Sequence, residues 1–399
     1  MICRTLYLHS DYLSNIAAIF GSQMILRNHP FLLITLIIFG ISFLVQIFYY
    51  LFYYLAPAIF RHPDVPVKQD PVSVIICARN EEENLRNFLP AVLEQDYPDY
   101  EVIVVNDCSE DDSYNILGGY LTKYHHLKVS NISKDPKFIH NKKFAQFIGI
   151  KAAKNEILLF TDADCRPESD KWLGRMASRF DNKTDFVLGY GGYLSKKGLL
   201  NRYIRYDCMV IAVQYLGMAI RGNTYMGVGR NLAYRRSLFF DKKGFNSHTH
   251  LVSGDDDLFV NSNASENNVA VEFRKESHTR SLPASGIEEF FRQKKRHLTT
   301  ANHYKLRDKI LLIAEPATRV LFYTAFAVLL ANLFLWPFIL AIFGIRMITQ
   351  FTVFTLNRKK LNERGLLLFL QIFDILSPFI NAVIYIGSLR QGTGNNRWK

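Results

Sequence analysis

Two aspartates, Asp162 and Asp164, stand one residue apart directly after an apolar run in the sequence ILLFTDAD. The run is typical of a buried strand, and ligands in an open α/β sheet usually bind at the carboxyl ends of the strands. Mg²⁺ and Mn²⁺ bind through carboxylates together with substrate phosphates, so Asp164 and Asp162 are the predicted metal ligands. The same pair can also be purely structural. If a metal binds here, the expected partner is a nucleotide diphosphate.

A second acidic cluster consists of Asp255, Asp256 and Asp257 in the sequence SGDDDLFVN. Like charges this close raise the pKa of at least one carboxyl group, which suits a general base. The structural alternative is a solvated turn or a helix cap. The residues by themselves leave both interpretations open and do not choose among the three carboxylates.

Two other predicted strands end in polar residues. In ICARNEEENL, Ala78 ends the strand, Arg79 and Glu81 follow it, and a helix N-terminus that favours an anionic or polar ligand comes next. In VVNDCSEDDS, Asp107 lies at the equivalent edge, where its carboxylate could accept hydrogen bonds from a base or a ribose. Simple capping of the helix by Asn80 and Glu81 is the alternative for the first of these ends.

A sheet has to hold these residues, and the sequence predicts one. The runs VSVIICA, YEVIVVND, LKVSNIS and EILLFTDAD are β-branched and end in polar residues, and helical patterns separate the first three. This alternation predicts an α/β fold with a parallel sheet. Beyond Asp164 the pattern loosens: FVLGYGGYLS resembles a strand that enters a turn, and YMGVGRNLAYRRSLF a glycine-rich loop that leads into another strand.

Composition excludes several classes of protein. A chain of 399 residues with 49% hydrophobic and 14% aromatic residues is not disordered. Its five cysteines show no CxxC spacing, so neither a disulfide framework nor a zinc site is indicated, and a reducing compartment fits best. The net charge of +12 would suit nucleic acid, but no basic stretch is interleaved with a nucleic-acid-reading motif. We therefore expect no nucleic-acid partner, and an anionic membrane surface explains the charge better.

Three apolar stretches, residues 31–60, 319–356 and 366–389, each exceed the roughly 20 residues that a membrane-spanning helix needs. They predict an integral membrane protein. Basic residues lie beside the spans, at 292–309 and 358–364, and the positive-inside rule places both groups and the soluble domain in the cytoplasm. The middle stretch must then cross twice, as a helical hairpin that turns near Pro337.

The predicted organisation follows from these spans. An N-terminal segment contains apolar residues at helical spacing, which fits either a helix in the membrane interface or an ordinary packed helix. The predicted parts are an N-terminal segment (1–30), a membrane anchor (31–60), a proline-containing linker (61–71), the soluble domain (72–314), the membrane region (319–356), a last membrane helix (366–389) and a tail (390–399).

The motifs, taken in order, resemble those of the inverting, membrane-anchored glycosyltransferases of family 2, of the bacterial type, which have the GT-A fold. They are VSVIICARNEEENL, VIVVNDCSEDDS, NKKFAQFIGIKAAKNEILLFTDAD, SGDDDLFVN and RQKKRH, and together they cover residues 72 to about 297. Each motif alone is unspecific, whereas the ordered set is specific. The resemblance implies a Rossmann-like, mostly parallel sheet.

The resemblance also implies roles for individual residues. The residues at the end of the first strand would line the nucleotide pocket. Asp107, at the end of the second strand, would contact the nucleobase. Asp162, the first aspartate of TDAD, would contact the nucleotide sugar. Lys142, in NKKFA, matches the lysine that similar enzymes carry before the central strand, and Asp164 would contact the metal. The implied nucleotide-sugar-binding residues are Ala78, Arg79, Glu81, Asp107, Lys142 and Asp162.

The catalytic base depends on how the family's Glu-Asp pair is matched. Matching on the preceding glycine makes Asp256 the base, matching on the following leucine makes it Asp255, and Asp257 ranks third.

Two further segments match the family in part. RQKKRH resembles the Gln-x-x-Arg-Trp motif in Gln293 and Arg296, which would contact the diphosphate or the acceptor, but His297 replaces the tryptophan. That replacement argues against a processive polysaccharide synthase. The alternative for this segment is a basic patch that binds anionic lipid. Arg230 lies in GVGRNLAYRRS, which resembles the acceptor-side loop.

The implied reaction is the inverting transfer of a sugar from a nucleotide-diphosphate sugar to a lipid-linked or saccharide acceptor, with Mg²⁺ or Mn²⁺ as cofactor. The expected location is the bacterial inner or plasma membrane, in cell-envelope polysaccharide or glycolipid synthesis. A nucleotidyltransferase of similar shape would need a glycine-rich basic loop after the first strand, where this chain has ARNEEEN. Intact acidic clusters argue against the other alternative, a membrane scaffold with a decayed transferase domain.

Overall fold

The computed structural model describes residues 30–63, 69–134, 141–246, 251 and 253–390. The predicted N-terminal segment, the middle of the linker and the tail fall outside these residues. The described chain divides into two compact units, which are residues up to 49 with 313–350, and residues 50–312 with those from 351 onward. Each unit is described by itself.

The larger unit is built on a seven-stranded sheet with the order β3-β2-β1-β4-β8-β6-β9, and a three-stranded sheet with the order β5-β10-β7 accompanies it. The strands are β1 (Val72–Ala78), β2 (Tyr100–Asp107), β3 (Leu127–Ile132), β4 (Ile157–Phe160), β5 (Cys165–Pro167), β6 (Phe186–Gly189), β7 (Gly191–Tyr193), β8 (Leu232–Arg235), β9 (Val269–Glu272) and β10 (Thr279–Ser281).

The first four strands of the larger sheet pair in parallel, with Val72 opposite both Tyr100 and Ile157. Strand β8 is antiparallel to β4 and to β6, whereas β6 and β9 are parallel. The predicted Rossmann-like, mostly parallel sheet is thus confirmed. Parallel pairing aligns the carboxyl ends of β1, β2 and β4 at one edge, where the polar residues predicted to bind ligands follow them.

Helices cover the sheet and the chain ends in long apolar helices. The helices are α1 (Pro30–Phe48), α2 (Leu55–Ile59), α3 (Glu82–Leu93), α4 (Ser113–Lys123), α5 (Lys142–Ala152), α6 (Trp172–Ala177), α7 (Leu199–Ile220), α8 (Arg236–Asp241), α9 (Asp257–Asn263), α10 (Ile287–Thr300), α11 (Leu306–Ala331), α12 (Trp336–Lys360) and α13 (Leu370–Arg390). A π-helical segment, Tyr49–Tyr54, joins α1 to α2.

The core of the larger unit explains why these residues form strands. Val72, Val74 and Ile76 project to one face of β1 and pack into one hydrophobic cluster with residues of β2 and α3. On the other face, Gly149 of α5 lies so close to the sheet that an added Cβ would stand 2.7 Å from Ile75 Cγ2. Buried strands covered on both faces are expected to read as continuous apolar runs. The close approach of α5 places its first residue, Lys142, near the edge of the sheet.

The smaller unit is a helical bundle with an aromatic core. The rings of Phe39 and Phe322 stack at 4.7 Å, and those of Phe326 and Phe343 at 4.0 Å. A polar group is buried in the same unit, where Arg346 Nη2 donates to Gln46 Oε1 at 3.0 Å.

Among the described residues, four helices are long and apolar enough to cross a membrane: Pro30–Ile59, Leu306–Ala331, Trp336–Lys360 and Leu367–Gly387. The second begins ahead of residue 314, where the sequence suggested that the soluble domain ends. The break between the second and third lies at residues 332–335, just before Pro337.

Candidate active site

The TDAD segment turns sharply after β4. The backbone amide of Cys165 donates to Asp162 O at 3.0 Å, and this turn brings both carboxylates to the sheet edge. Asp164 Oδ2 accepts a hydrogen bond from Ser281 Oγ of β10 at 2.8 Å. A carboxylate oxygen of Asp162, one of Asp164 and Cys165 Sγ lie within 4.8 Å of one another.

These groups fit a hard divalent cation. Burial, together with the charges of Asp164 and Asp162, raises the pKa of the Cys165 thiol well above its ordinary value, so the thiol stays protonated. The two carboxylates are therefore the groups that could ligate Mg²⁺ or Mn²⁺.

Lys142 links the two acidic clusters. Asn141 caps helix α5 by accepting from Phe144 N at 2.9 Å, which fixes the start of the helix. From there Lys142 Nζ lies 2.9 Å from Asp162 Oδ1 and 3.2 Å from Asp255 Oδ2. Burial opposes the charge of Lys142, but the surrounding aspartates outweigh it and hold its pKa well above the ordinary value. Burial likewise opposes ionisation of Asp162, yet Lys142 lowers the pKa of that carboxyl.

The three consecutive aspartates have three different environments. Gly254, with φ of 101°, precedes them in a left-handed conformation that favours glycine. Asp255 is buried and pairs with Lys142. Asp256 caps helix α9 and accepts from Asp257 N at 2.8 Å and from Gly229 N at 2.6 Å.

Asp257 points away from the other two carboxylates. Its Oδ2 accepts hydrogen bonds from the hydroxyls of Thr300 and Tyr304, the latter at 2.7 Å, and Oδ1 accepts from Leu258 N. These bonds connect α9 to the end of α10 and to the segment after it.

Burial is the main reason that the pKa of Asp256 rises, and the neighbouring charges of Asp255 and Asp257 add to it. The pKa reaches about 7, although Lys142 and the Gly229 amide oppose the shift. A carboxyl group with a pKa near neutrality can exist in both protonation states under working conditions, as a general base must.

The opposite wall of the site is basic. Arg230 stacks over the ring of Tyr193 at 4.3 Å. Helix α10 contributes Gln293, Arg296 and His297, and the burial of Lys294 on the same helix against Asp207 fixes which of its faces meets the site. Loss of solvation within the cleft, followed by the charges of Arg296 and Arg230, lowers the pKa of His297 to about 3.

These groups surround one open cleft of about 1070 Å³, a figure that includes its solvent-filled mouth. Ten residues proposed from the sequence line it: Arg79, Glu81, Lys142, Asp162, Asp164, Arg230, Asp255, Asp256, Gln293 and Arg296. Three lie outside the wall that the described residues form. Ala78 and Asp107 are fully buried at the ends of β1 and β2, and Asp257 is buried beneath α10.

The hydrogen bonds at the end of β1 bear on the alternative that Asn80 and Glu81 simply cap helix α3. Glu81 is the N-cap residue of α3 but its side chain makes no capping bond, and its carboxylate accepts instead from Asn84 Nδ2. Asn80, with φ of 52°, accepts from Glu110 N at 2.8 Å. Asn80 thus joins the ends of β1 and β2 rather than capping the helix.

Eight of the residues that line the cleft were not proposed from the sequence, among them Tyr193, Ser281 and His297. Tyr193 and Ser281 belong to the three-stranded sheet, which was not predicted: the segment FVLGYGGYLS, which contains Tyr193, was interpreted as one strand entering a turn. His297 was noted only as a replacement for tryptophan, although it lines the cleft. Strands of three residues are too short to give a periodic signal, so only the replacement at 297 was detectable.

Comparison with known proteins agrees with this geometry. The sequence profile of "Glycosyl transferase family 2" matches residues 73–240. Glycosyltransferase AglE of Haloferax volcanii is 38% identical over 109 residues, which are 27% of this chain and 34% of that protein. Probable glycosyltransferase YdaM of Bacillus subtilis is 31% identical over 196 residues, 45% of each chain. The chain thus spans less than half the length of these curated relatives.

Among solved structures, mannosyltransferase PcManGT from Pyrobaculum calidifontis, in complex with GDP-Man and Mn²⁺, superposes with a TM-score of 0.54. The match covers 87% of this chain and 99% of that one at 17% identity, which is a likeness of fold. The larger unit therefore has the GT-A fold, and residues 73–240 form a family 2 glycosyltransferase domain. The resemblance inferred from the ordered motifs is confirmed.

Proposed function

We propose that this protein is an inverting glycosyltransferase that moves a sugar from a nucleotide-diphosphate sugar to an acceptor hydroxyl at the membrane. The observation that carries the proposal is a cleft lined both by a carboxylate pair suited to a divalent cation and by Asp256, whose pKa is about 7, with Lys142 paired to Asp162 between β4 and α5. A metal-assisted leaving group and a general base are the two functions that such a transfer requires.

Among the three aspartates, the environments favour Asp256 as the base. Asp255 is buried and paired with Lys142, and the carboxylate of Asp257 faces Thr300 and Tyr304 outside the described wall of the cleft. Asp256 is only partly buried, and it lines the cleft where an acceptor can reach it. The acceptor oxygen attacks the anomeric carbon, its proton passes to Asp256, and the bond from that carbon to the nucleotide diphosphate breaks. The configuration at the carbon inverts.

The donor side of the cleft is assigned from the resemblance and the chemistry of the side chains. Asp162 and Asp164 would hold Mg²⁺ or Mn²⁺, which supplies positive charge for the departing diphosphate. Arg230, Arg296 and Gln293 face the same space and would bind its oxygens. We assign the nucleotide to the ends of β1 and β2, where Ala78, Arg79, Glu81 and Asp107 lie.

The acceptor is proposed to be lipid-linked or close to the membrane, in cell-envelope polysaccharide or glycolipid synthesis. The support is the presence of four helices that are long and apolar enough to span a bilayer. We place the protein in the bacterial plasma membrane with the cleft in the cytoplasm. His297, in place of a tryptophan, favours a single addition over processive synthesis.

A panel of nucleotide sugars tests the proposal. The purified full-length protein in detergent is incubated with each donor and Mn²⁺, and release of nucleotide diphosphate is followed. We expect one donor to release its nucleotide diphosphate, with loss of activity in excess chelator and recovery with Mn²⁺ or Mg²⁺. Pyrophosphate as the product would instead indicate a nucleotidyltransferase, and no turnover of any donor would favour a scaffold.

Two variants sharpen this test. Asp164→Ala removes a proposed metal ligand and should abolish both metal-dependent turnover and binding of the donor. Asp241→Ala, at the exposed end of α8, is the matched control and should behave as the parent protein. Parental activity of Asp164→Ala in the presence of chelator would remove the basis for a metal role.

A further inference from the structure

The connection between α12 and α13 comprises residues 361–369. Its first five residues, LNERG at 361–365, are anchored within the larger unit. Leu361 is fully buried and Glu363 is 1% exposed. Asn362 and Gly365 adopt left-handed backbone conformations, with φ of 52° and 73°. A segment that joins two apolar helices is ordinarily solvated, so its burial requires an explanation.

Two arginines of the larger unit hold this connection. The carboxylate of Glu363 accepts from Arg205 Nε at 2.8 Å, from Tyr190 OH at 2.8 Å and from Arg280 Nη1. Each guanidinium also binds backbone carbonyls of the connection: Arg205 Nη2 donates to Arg364 O at 2.9 Å, and Arg280 Nη2 to Leu361 O at 3.1 Å. The connection is thus fixed through both its side chain and its backbone.

Arg280 leads directly to the acidic pair of the cleft. It lies in β10, next to Ser281, whose hydroxyl donates to Asp164 Oδ2 at 2.8 Å. The amide of Leu282 donates to Asp164 O at 3.3 Å, and Ser281 pairs with Cys165 across the antiparallel β5. The position of β10 therefore determines how the carboxylate of Asp164 is oriented.

We propose that Glu363 is a positioning residue for the cleft, because its contacts with Arg280 hold β10 where Ser281 can orient the Asp164 carboxylate toward the metal. This inference rests on the proposed metal role of Asp164. On its other side, Arg280 Nε lies 3.1 Å from Glu168 Oε1. Without the charge of Glu363, Glu168 is the remaining anion at Arg280, so the guanidinium moves toward it and displaces β10.

A purely structural ion pair would give a different result, and the chain offers a matched control. Glu272 of β9 is also fully buried and also pairs with two arginines, with Arg274 Nη2 at 2.9 Å and Arg179 Nε at 3.9 Å. It does not line the described wall of the cleft. Glu363→Gln and Glu272→Gln therefore each remove a buried charge paired with arginines. Glu363 contacts Arg280 within β10, whereas Glu272 reaches only Ser277, which precedes that strand, at 3.4 Å.

The experiment measures Mn²⁺ binding by equilibrium dialysis of the full-length protein in detergent, with UDP and GDP on both sides of the dialysis membrane. We expect Glu363→Gln to weaken Mn²⁺ binding about 10-fold, the lower end of what loss of a group supporting a metal ligand costs. Glu272→Gln should leave Mn²⁺ binding unchanged, although both variants lower the melting temperature. Glu363→Asp keeps the charge and should recover part of the affinity.

Two results would overturn the inference. Parental Mn²⁺ affinity in Glu363→Gln would make the connection structural only, while the metal role of Asp164 would stand. No Mn²⁺ binding by the parent protein would remove the metal role and the inference with it. Ser281→Ala tests the connecting step and should weaken binding at least as much as Glu363→Gln.

If Glu363→Gln does not fold, Gly365→Ala decides the question. Alanine at φ of 73° strains the connection without removing a charge. It should weaken Mn²⁺ binding in the same direction, and unchanged binding would contradict the inference.

Discussion

Asp256 is subject to opposing electrostatic influences, and their balance has a measurable consequence. Burial and two neighbouring carboxylates raise its pKa to about 7, whereas Lys142 and the Gly229 amide favour its charged form. As the base, Asp256 must be deprotonated. We therefore expect kcat/KM to rise about tenfold per pH unit below pH 7 and to level off above it, because only the charged fraction is active.

The same pKa determines the sign of a stability effect. Because the folded pKa exceeds the ordinary 3.8, the folded state binds the proton more tightly, and the contribution of this group to stability falls as the pH rises from about 4 to 7. Asp256→Asn removes that penalty. The melting temperature of the variant minus that of the parent protein should therefore be larger at pH 8 than at pH 5. A difference that does not change with pH would contradict the environment assigned to Asp256.

At the scale of residues, the sequence indicated which acidic side chains belong to the site, but it did not indicate which of the three consecutive aspartates is the base. Strand ends in an α/β sheet face one crevice, so Asp162 and Asp164 could be proposed for a site there. The acidic residues at 255–257 joined that site through the family resemblance. The choice among the three aspartates depends on partners distant in the chain, namely Gly229, Thr300 and Tyr304. No local pattern indicates that these residues meet the cluster.

At the scale of elements, three of the strands predicted from apolar runs, β1, β2 and β4, are buried on both faces, whereas the predicted β3 is only partly buried. VSVIICA corresponds to β1, and YEVIVVND to β2, because a fully covered strand reads as a continuous apolar run. The insertion of antiparallel β8 between β4 and β6 was not predictable, because the sequence of a strand does not state its neighbours. Helix α11 also begins at Leu306, well before the apolar stretch at 319, because a helix can continue from polar into apolar sequence.

Helix packing gives a prediction at this scale. In α7, a Cβ added to Gly217 would stand 2.1 Å from Tyr53 O, so the helix and the π-helical segment are in backbone contact there. We expect Gly217→Ala to lower the free energy of unfolding by about 1–3 kcal/mol, the usual cost of overpacking. The change is measured as a fall in the thermal unfolding midpoint in detergent.

Gly118, in the middle of α4, is the matched control because no atom lies within 4 Å of an added Cβ. Gly118→Ala should raise the free energy of unfolding by about 0.5–1 kcal/mol through helix propensity. Similar effects of the two substitutions would mean that α7 and Tyr53 are not in contact.

At the scale of the whole molecule, the alternation of strand and helix patterns predicted the α/β fold, and three apolar stretches predicted the membrane helices. The described chain contains four helices suited to a bilayer. The positive-inside rule predicts that a reporter fused within the linker, near Val65, reports the cytoplasm, and that one fused ahead of residue 31 reports the opposite side. A cytoplasmic signal from both fusions would mean that the first helix does not cross once.

The central claim is that the cleft transfers a sugar with Asp256 as the base, and replacement of each of the three aspartates by asparagine tests it most directly. Asparagine keeps the size and most hydrogen bonds of aspartate but cannot accept the proton. With the donor that the panel identifies, Asp256→Asn should bind donor and Mn²⁺ normally yet turn over about 10²- to 10⁴-fold more slowly, the range of general base catalysis. Asp255→Asn and Asp257→Asn should lose much less. Near-parental turnover by Asp256→Asn would contradict the account.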